Sequence, residues 1–120
     1  MFSENVNQSE LKNEDLSKYK DIIHYYDVTF KRNRLYKKKI KYSNLEDYEQ
    51  SYTIVSSDPC LIVRKPKIKI PYHDTRYIRL SFNIPKISAL LKPYIKVINN
   101  KNGEIEEILY FNIDIVESNY

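Results

Sequence analysis

The chain has 120 residues and a formal net charge of +4, because 20 basic residues are offset by 16 acidic ones. A chain of this length forms one domain and buries roughly two-thirds of the surface that its unfolded state exposes. The single cysteine excludes an intramolecular disulfide framework and a cysteine-rich zinc site, and the single glycine argues against a glycine-rich phosphate loop. We therefore expect a reduced, intracellular protein without a cofactor.

The first 25 residues are predicted to form an arm or a short helix. Residues 1–13 are polar and have neither the basic start nor the apolar stretch of a signal peptide. Over residues 13–25 a weak helical period places Leu16, Tyr19 and Ile23 on one face. No apolar run approaches the length of a membrane span, so we expect no membrane insertion.

Residues 26–118 are predicted to form one all-β domain. Apolar residues recur at every second position, which is the period of a strand with one face in a core and the other in water. The pattern predicts strands over residues 26–30, 35–43, 50–56, 60–63, 67–70, 76–83, 91–99 and 104–116, the fourth and fifth forming an extended pair around Pro66. Gly103 lies where a left-handed residue would close the last hairpin. About seven short strands with regularly spaced turns indicate a two-sheet antiparallel sandwich.

Basic residues are concentrated in the second predicted strand, where Lys37, Lys39 and Lys41 alternate with tyrosine and isoleucine. In the strand predicted over residues 76–83, Tyr77 and Arg79 fall on the outward phase. We take these five residues as the candidate partner-binding residues. The same lysines are also typical of a solvated strand face that resists edge pairing.

A run of residues in the middle of the chain carries a family resemblance. Its members are Asn44, Tyr52, Ile54, Ser56, Ser57, Pro59, Val63 and Pro66, followed by residues 68–71 and the strand over residues 77–82. In order and spacing they resemble the major sperm protein (MSP) type of immunoglobulin-like domain and its ASH relatives. The resemblance covers roughly residues 26–116 and implies a seven-stranded sandwich that binds other proteins. The usual glycine after the proline is absent, because Tyr72-His73-Asp74 stands there, so we expect that turn to differ.

Three shorter pieces, residues 40–44, 57–59 and 94–99 followed by Glu106-Glu107, are most similar to the carboxy-terminal repeats of nephrocystin-4, a scaffold of the ciliary transition zone. This resemblance implies a cytoplasmic scaffold of the cytoskeleton, of the cilium, basal body or centriole type. Together with the lysine row, it leads us to expect an anionic protein partner, such as tubulin or an acidic peptide.

The side chains that could carry chemistry do not favour an enzyme. Cys60 and His73 could form a thiolate and its base, but a small buried thiol is the ordinary interpretation of Cys60. His24 and His73 are far apart in the sequence and lack further ligands at metal-binding spacing. Glu106 and Glu107 should alternate faces on their strand and so could not easily act together on one substrate. We expect neither catalytic residues nor a metal site.

The alternative hypothesis is a nucleic-acid-binding barrel of the oligonucleotide-binding type. The chain has twelve tyrosines, and single-strand binders combine aromatic stacking surfaces with basic residues. However, Tyr36, Tyr42 and Tyr52 fall on the apolar phase, which favours a structural role for them. If Tyr77 and Arg79 lay beside the lysines on one outer sheet face, the argument would turn towards nucleic acid.

Overall fold

The computed structural model describes residues 16–31, 34–84 and 90–116. These residues form a short 3₁₀ helix, Ser17–Ile22, and nine strand segments. The strands are β1 (Ile23–Lys31), β2 (Leu35–Ser43), β3 (Gln50–Ser56), β4 (Leu61–Val63), β5 (Lys67–Ile70), β6 (Thr75–Asn83), β7 (Leu90–Leu91), β8 (Tyr94–Asn99) and β9 (Ile105–Val116). The predicted bounds of β2, β3 and β5 are confirmed at both ends, and β4, β6 and β9 begin within one residue of the prediction.

The described strands form two sheets that pack face to face. The large sheet has the order β1-β9-β8-β3-β5, with β7 also pairing with β9, and the small sheet has the order β2-β6-β4. β1 runs parallel to β9, whereas the other described pairs are antiparallel. The predicted two-sheet sandwich is confirmed, and the closed barrel of the alternative hypothesis is not formed by these strands.

Two prolines explain why the described residues contain nine strand segments rather than about seven. Pro66 lies where the chain leaves the small sheet and joins the large one, so β4 and β5 belong to different sheets. Its carbonyl accepts a hydrogen bond from the Ile54 N–H at 2.7 Å. Pro93 separates β7 from β8, because proline has no N–H to donate to a strand partner.

The core lies between the two sheets and follows the predicted alternation. Tyr42, Tyr52 and Ile54 are buried, as their phase predicts. The other fully buried apolar side chains between the sheets are Leu61, Ile70, Ile78, Leu80, Phe82, Ile95, Val97, Leu109, Phe111 and Ile113. The rings of Phe82 and Phe111 meet edge to face across the sandwich, with centroids 5.2 Å apart. This contact joins β6, the central strand of the small sheet, to β9 of the large sheet.

The predicted helix over residues 13–25 is wrong at its carboxyl end. The described part is a 3₁₀ helix that stops at Ile22 and has no side-chain cap, while β1 begins at Ile23. Residues 13–15 lie outside the described residues. Pairing with β9 from Ile23 onward outweighs a weak helical period that no cap supports. The helix contacts β9, where Ile108 is fully buried on the outer face of the large sheet.

Two turns contain residues in the left-handed region. Gly103 has φ 73° and donates its N–H to the Asn99 carbonyl at 2.8 Å, which confirms the predicted closure of the β8–β9 hairpin. His73 has φ 57° in the turn that lacks the expected glycine. The Asp74 N–H donates to the Pro71 carbonyl at 3.1 Å, so the turn closes even though a non-glycine residue occupies a position that glycine favours.

Candidate interaction surface

The five candidate residues come together on the outer face of the small sheet. In the register of β2 with β6, Lys39 lies opposite Arg79 and Lys41 lies opposite Tyr77. Lys37 continues the lysine row two residues before Lys39. We call Lys37, Lys39, Lys41, Tyr77 and Arg79 the cationic face.

The cationic face follows from the alternation of both strands. Ile40 pairs with Ile78 and Tyr36 pairs with Phe82, and these four side chains belong to the core or pack against it. Successive side chains of a strand point to opposite faces of the sheet. The residues between them therefore point to solvent, and the regular pairing aligns their rows.

Tyr77 lies between two cations on this face. Its side chain is 39% exposed, with Lys39 Nζ 4.6 Å and Arg79 Cζ 5.9 Å from the ring centroid. Both distances are within the range of cation–π attraction, which is worth about 0.5–1 kcal/mol at an exposed site. The ring therefore holds the two cations close together and limits their mobility.

The cations of this face lack acidic partners among the described residues. The ion pairs of the described chain lie elsewhere and join His24 to Glu107, His73 to Asp47 and Arg76 to Asp74. Lys37, Lys39 and Arg79 are exposed, and no described carboxylate lies within salt-bridge distance of them. A patch of like charges without counter-charges attracts anions.

Two neighbours of the cationic face were missed by the sequence analysis. Lys38 falls on the inward phase of β2, opposite Leu80, yet is exposed because β2 is the edge strand of the small sheet. Ile62 of β4 lies opposite Ser81 and is 45% exposed, which adds an apolar spot beside Arg79. The exposure of Ile62 could have been predicted from its alternation with the buried Leu61. The exposure of Lys38 could not, because nothing in the sequence shows that β2 is an edge strand.

Next to the cationic face is an open groove of about 530 Å³, which we call the acidic groove. It is lined by Lys41, Tyr42, Ser43, Leu45, Glu46, Tyr52 and residues 104–107. Among these residues, Glu106 is held on both of its oxygens: Oε1 accepts a hydrogen bond from the Tyr42 hydroxyl at 2.9 Å, and Oε2 accepts one from Asn99 Nδ2 at 2.7 Å. Burial, reinforced by the Glu106 charge, raises the pKa of Tyr42 well above its usual range and that of Tyr52 to about 12.

The expectation that Glu106 and Glu107 lie on opposite faces is wrong, since both line the acidic groove. The register of β8 with β9 shifts between Val97 and Ile98, at a β-bulge opposite these glutamates. A bulge inserts an extra residue and redirects a side chain. Glu107 lies 3.6 Å from His24, and burial raises the pKa of its carboxyl. Each glutamate therefore has a structural partner of its own.

Cys60 and His73 are not brought together. The Cys60 carbonyl is bonded to the N–H of Asn83 at one end of β6, whereas His73 precedes Thr75 at the other end. Eight residues of extended chain between these ends span about 26 Å. Burial raises the pKa of Cys60 to about 12, which disfavours the thiolate. His73 is therefore out of reach as a base for a Cys60 nucleophile.

Within residues 16–31, 34–84 and 90–116, no three histidine, cysteine, aspartate or glutamate side chains are grouped so as to hold a metal ion. The described residues also contain no helix with the length and apolar character needed to span a membrane.

The sequence matches no protein-family model and no curated protein. Solved structures, however, share the fold. WR4, an MSP family member of C. elegans, has a TM-score of 0.53 at 10% identity, with 75% of this chain and 92% of that chain covered. The ASH/PapD-like domain 7 of human CEP192 has a TM-score of 0.56 at 8% identity, with 79% and 84% covered.

A third similar structure is a family 123 glycoside hydrolase of Clostridium perfringens, with a TM-score of 0.61 at 9% identity. The match covers 78% of this chain but 23% of the hydrolase, so it concerns one part of that enzyme. These likenesses show that the chain has the immunoglobulin-like fold of MSP and ASH/PapD-like domains. At such low identities they concern the fold alone, and they do not extend to nephrocystin-4.

Proposed function

We propose that this chain is a non-catalytic protein-interaction module that binds an anionic partner through its cationic face. The observation that carries the proposal is the convergence of Lys37, Lys39, Lys41 and Arg79 around an exposed tyrosine on one outer sheet face. These side chains come from two paired strands above a packed core, so the face is held in shape before a partner arrives. A preformed face loses less conformational entropy on binding.

The proposal extends to a role in the cell. We propose a scaffold component of the cytoskeleton, located in the cytoplasm at a cilium, flagellar basal body or centriole. Support comes from the resemblance of residues 26–116 to ASH domains and of three shorter pieces to nephrocystin-4 repeats. An acidic surface such as that of tubulin, or an acidic peptide, has the charge that the cationic face would bind.

Proximity labelling with the tagged chain in its own cell tests this role. The wild type should enrich basal-body, centriolar or axonemal proteins, and the Lys37→Glu/Lys39→Glu variant should lose them. The matched control is Lys67→Glu/Lys69→Glu, which makes the same charge change on β5, at the edge of the other sheet. Enrichment of RNA-processing or chromatin proteins by the wild type would contradict the proposal.

Single-stranded nucleic acid is a second candidate ligand for the same face, although the sandwich is not a barrel. One observation favours it: Tyr77 and Arg79 do lie beside the lysines on one outer face. Stacking of a base on Tyr77 would contribute about 1–3 kcal/mol, so Tyr77→Ala would weaken oligonucleotide binding by a factor of roughly 5 to 150. The affinity would also fall with salt, with a slope of about −0.7 per phosphate neutralised, as measured by fluorescence anisotropy.

A further inference from the structure

The outer edge of β2 is a nine-residue strand edge to which no other described strand is paired. β2 pairs with β6 without interruption over all nine residues, from Leu35 opposite Asn83 to Ser43 opposite Thr75. On its other side no strand pairs with it among the described residues. An unpaired edge presents a row of backbone N–H and C=O groups that can pair with another extended segment.

The other described edges are less suited to accept a strand. β4 has three residues and β5 has four, so each offers few backbone groups. β1 is as long as β2, but its Lys31 N–H already donates to the Tyr36 hydroxyl at 2.8 Å. Only β2 combines length with a row of lysines. An incoming strand at this edge would therefore meet a specific pattern of charge.

The spacing of the lysines fits an extended partner. Alternate residues of a strand lie about 6.8 Å apart, and an added strand would lie about 4.8 Å away with the same repeat. Carboxylates at every second position of that strand would face Lys37, Lys39 and Lys41 in register. Opposite charges directly across two strands stabilise the pairing.

Lys38 restricts the choice of partner. It lies on the inward phase of β2, where an apolar strand added to the edge would cover it without a counter-charge. An added β2 from a second copy would place lysines beside lysines, which is destabilising. The edge thus disfavours apolar strands and its own copy.

Building on the proposed function, we propose that the partner is an extended acidic segment that adds as a strand to the β2 edge, with carboxylates at alternate positions facing Lys37, Lys39 and Lys41. Backbone hydrogen bonds to β2 provide the docking, and the lysine row fixes the register. Lys41 also borders the acidic groove, so the pairing is strongest at Lys37 and Lys39.

Two synthetic peptides of identical composition test the mode of binding. One carries glutamate at every second position between serine and threonine, so that a polar side chain faces Lys38, and the other carries the same glutamates in one contiguous run. Strand addition predicts that the alternating peptide binds at least about tenfold more tightly, a difference of about 1.4 kcal/mol, in fluorescence polarisation at fixed salt. Lys37→Glu/Lys39→Glu should remove this difference, while Lys67→Glu/Lys69→Glu should keep it.

N-methylation of the peptide backbone distinguishes strand addition from electrostatic attraction to the cationic face. In two versions of the alternating peptide, every second amide is N-methylated, in one phase or in the other. Strand addition requires that one version loses binding at least tenfold and the other keeps it. Equal binding of all peptides, with loss in Lys37→Glu/Lys39→Glu, would overturn strand addition but leave an anion-binding face. Binding of a single-stranded oligonucleotide without any peptide would overturn both proposals.

Discussion

The acidic groove and the cationic face meet at Lys41, but their charged side chains differ in one respect. Glu106 and Glu107 in the groove have partners within the protein, whereas the cations on the face do not form ion pairs with described carboxylates. In the groove, Glu106 is bonded to Tyr42 and Asn99, and Glu107 lies beside His24. Across the face, Lys37, Lys39 and Arg79 point to solvent, and no described carboxylate lies within salt-bridge distance of them. Polar groups that bond to one another stabilise the fold, whereas cations left without counter-charges remain available to a partner.

The structure therefore distinguishes charged residues that stabilise the fold, in the groove, from charged residues that are available for binding, on the cationic face. The sequence alone does not distinguish them. Substitutions in the groove should reduce stability and leave binding intact in the protein that still folds. Substitutions on the cationic face should weaken binding and leave stability unchanged.

Asn44, between two residues that line the groove, should be the most costly polar residue to remove. It is fully buried, and its Nδ2 donates to the carbonyls of Tyr48 and Ile70 at 2.8 and 2.9 Å. Asn44→Ala leaves the buried Ile70 carbonyl and the partly buried Tyr48 carbonyl without this donor, so we expect a loss of about 3 kcal/mol in the free energy of unfolding. Urea denaturation followed by circular dichroism measures the loss.

The matched control is Asn102→Ala. Asn102 is exposed and bonds the nearby Glu104 N–H at 2.9 Å, so its loss should cost about 0.5 kcal/mol. Similar losses in the two variants would show that burial of Asn44 does not determine its contribution.

Alkaline pH should unfold the protein through the groove tyrosines. The pKa of Tyr42 lies well above 10 in the folded state and that of Tyr52 is raised to about 12, so both ionise more easily in the unfolded chain. Their stabilising contribution is complete below pH 10 and is lost as the pH rises through the folded pKa values. Each tyrosine should then reduce the free energy of unfolding by about 1.4 kcal/mol for every pH unit above 10.

Tyr42→Phe isolates one of these contributions. Cys60, whose pKa is also raised to about 12, affects the variant and the wild type equally. The free energy of unfolding, measured in urea from pH 9 to 11.5, should therefore fall less steeply in Tyr42→Phe by about 1.4 kcal/mol per pH unit above pH 10. Parallel pH curves would mean that Tyr42 ionises in the folded protein.

Most strands could be predicted because the alternation that indicates a strand is a local pattern in the sequence. In β2 and β3 tyrosine and isoleucine recur on one phase, at positions 36, 40, 42, 52 and 54, and this pattern was enough to predict the bounds of both strands. The start of β1 was missed because its parallel partner β9 lies more than eighty residues away in the sequence. The change of sheet at Pro66 depends likewise on which distant strands accept β4 and β5.

The cationic face was predictable in its members but not in its surroundings. Alternation alone identifies Lys39 and Arg79 as outward residues, and the register that pairs them comes only from the structure. The bulge beside Glu106 was missed because an extra residue in a strand has no signature in a single sequence. The exposure of Lys38 was missed because the edge position of β2 is a property of the whole sheet.

Glu106→Gln tests the groove with a change that keeps the shape of the side chain. A glutamine can accept the Tyr42 hydroxyl, but its amide nitrogen cannot accept from Asn99 Nδ2, so one of two bonds is lost. We expect a loss of about 1–1.5 kcal/mol in the free energy of unfolding at pH 7. Unchanged stability would show that the Asn99 bond contributes nothing to the fold.

Lys37→Glu/Lys39→Glu should have the smallest effect on stability and the largest on binding. Neither lysine has a described carboxylate partner, and the new carboxylate at position 39 would face Arg79. The free energy of unfolding should therefore stay within about 0.5 kcal/mol of the wild type. Partner binding should fall at least about tenfold, because attraction at two positions becomes repulsion. If the variant lost stability and still bound its partner, the lysines would stabilise the fold and would not form the binding surface.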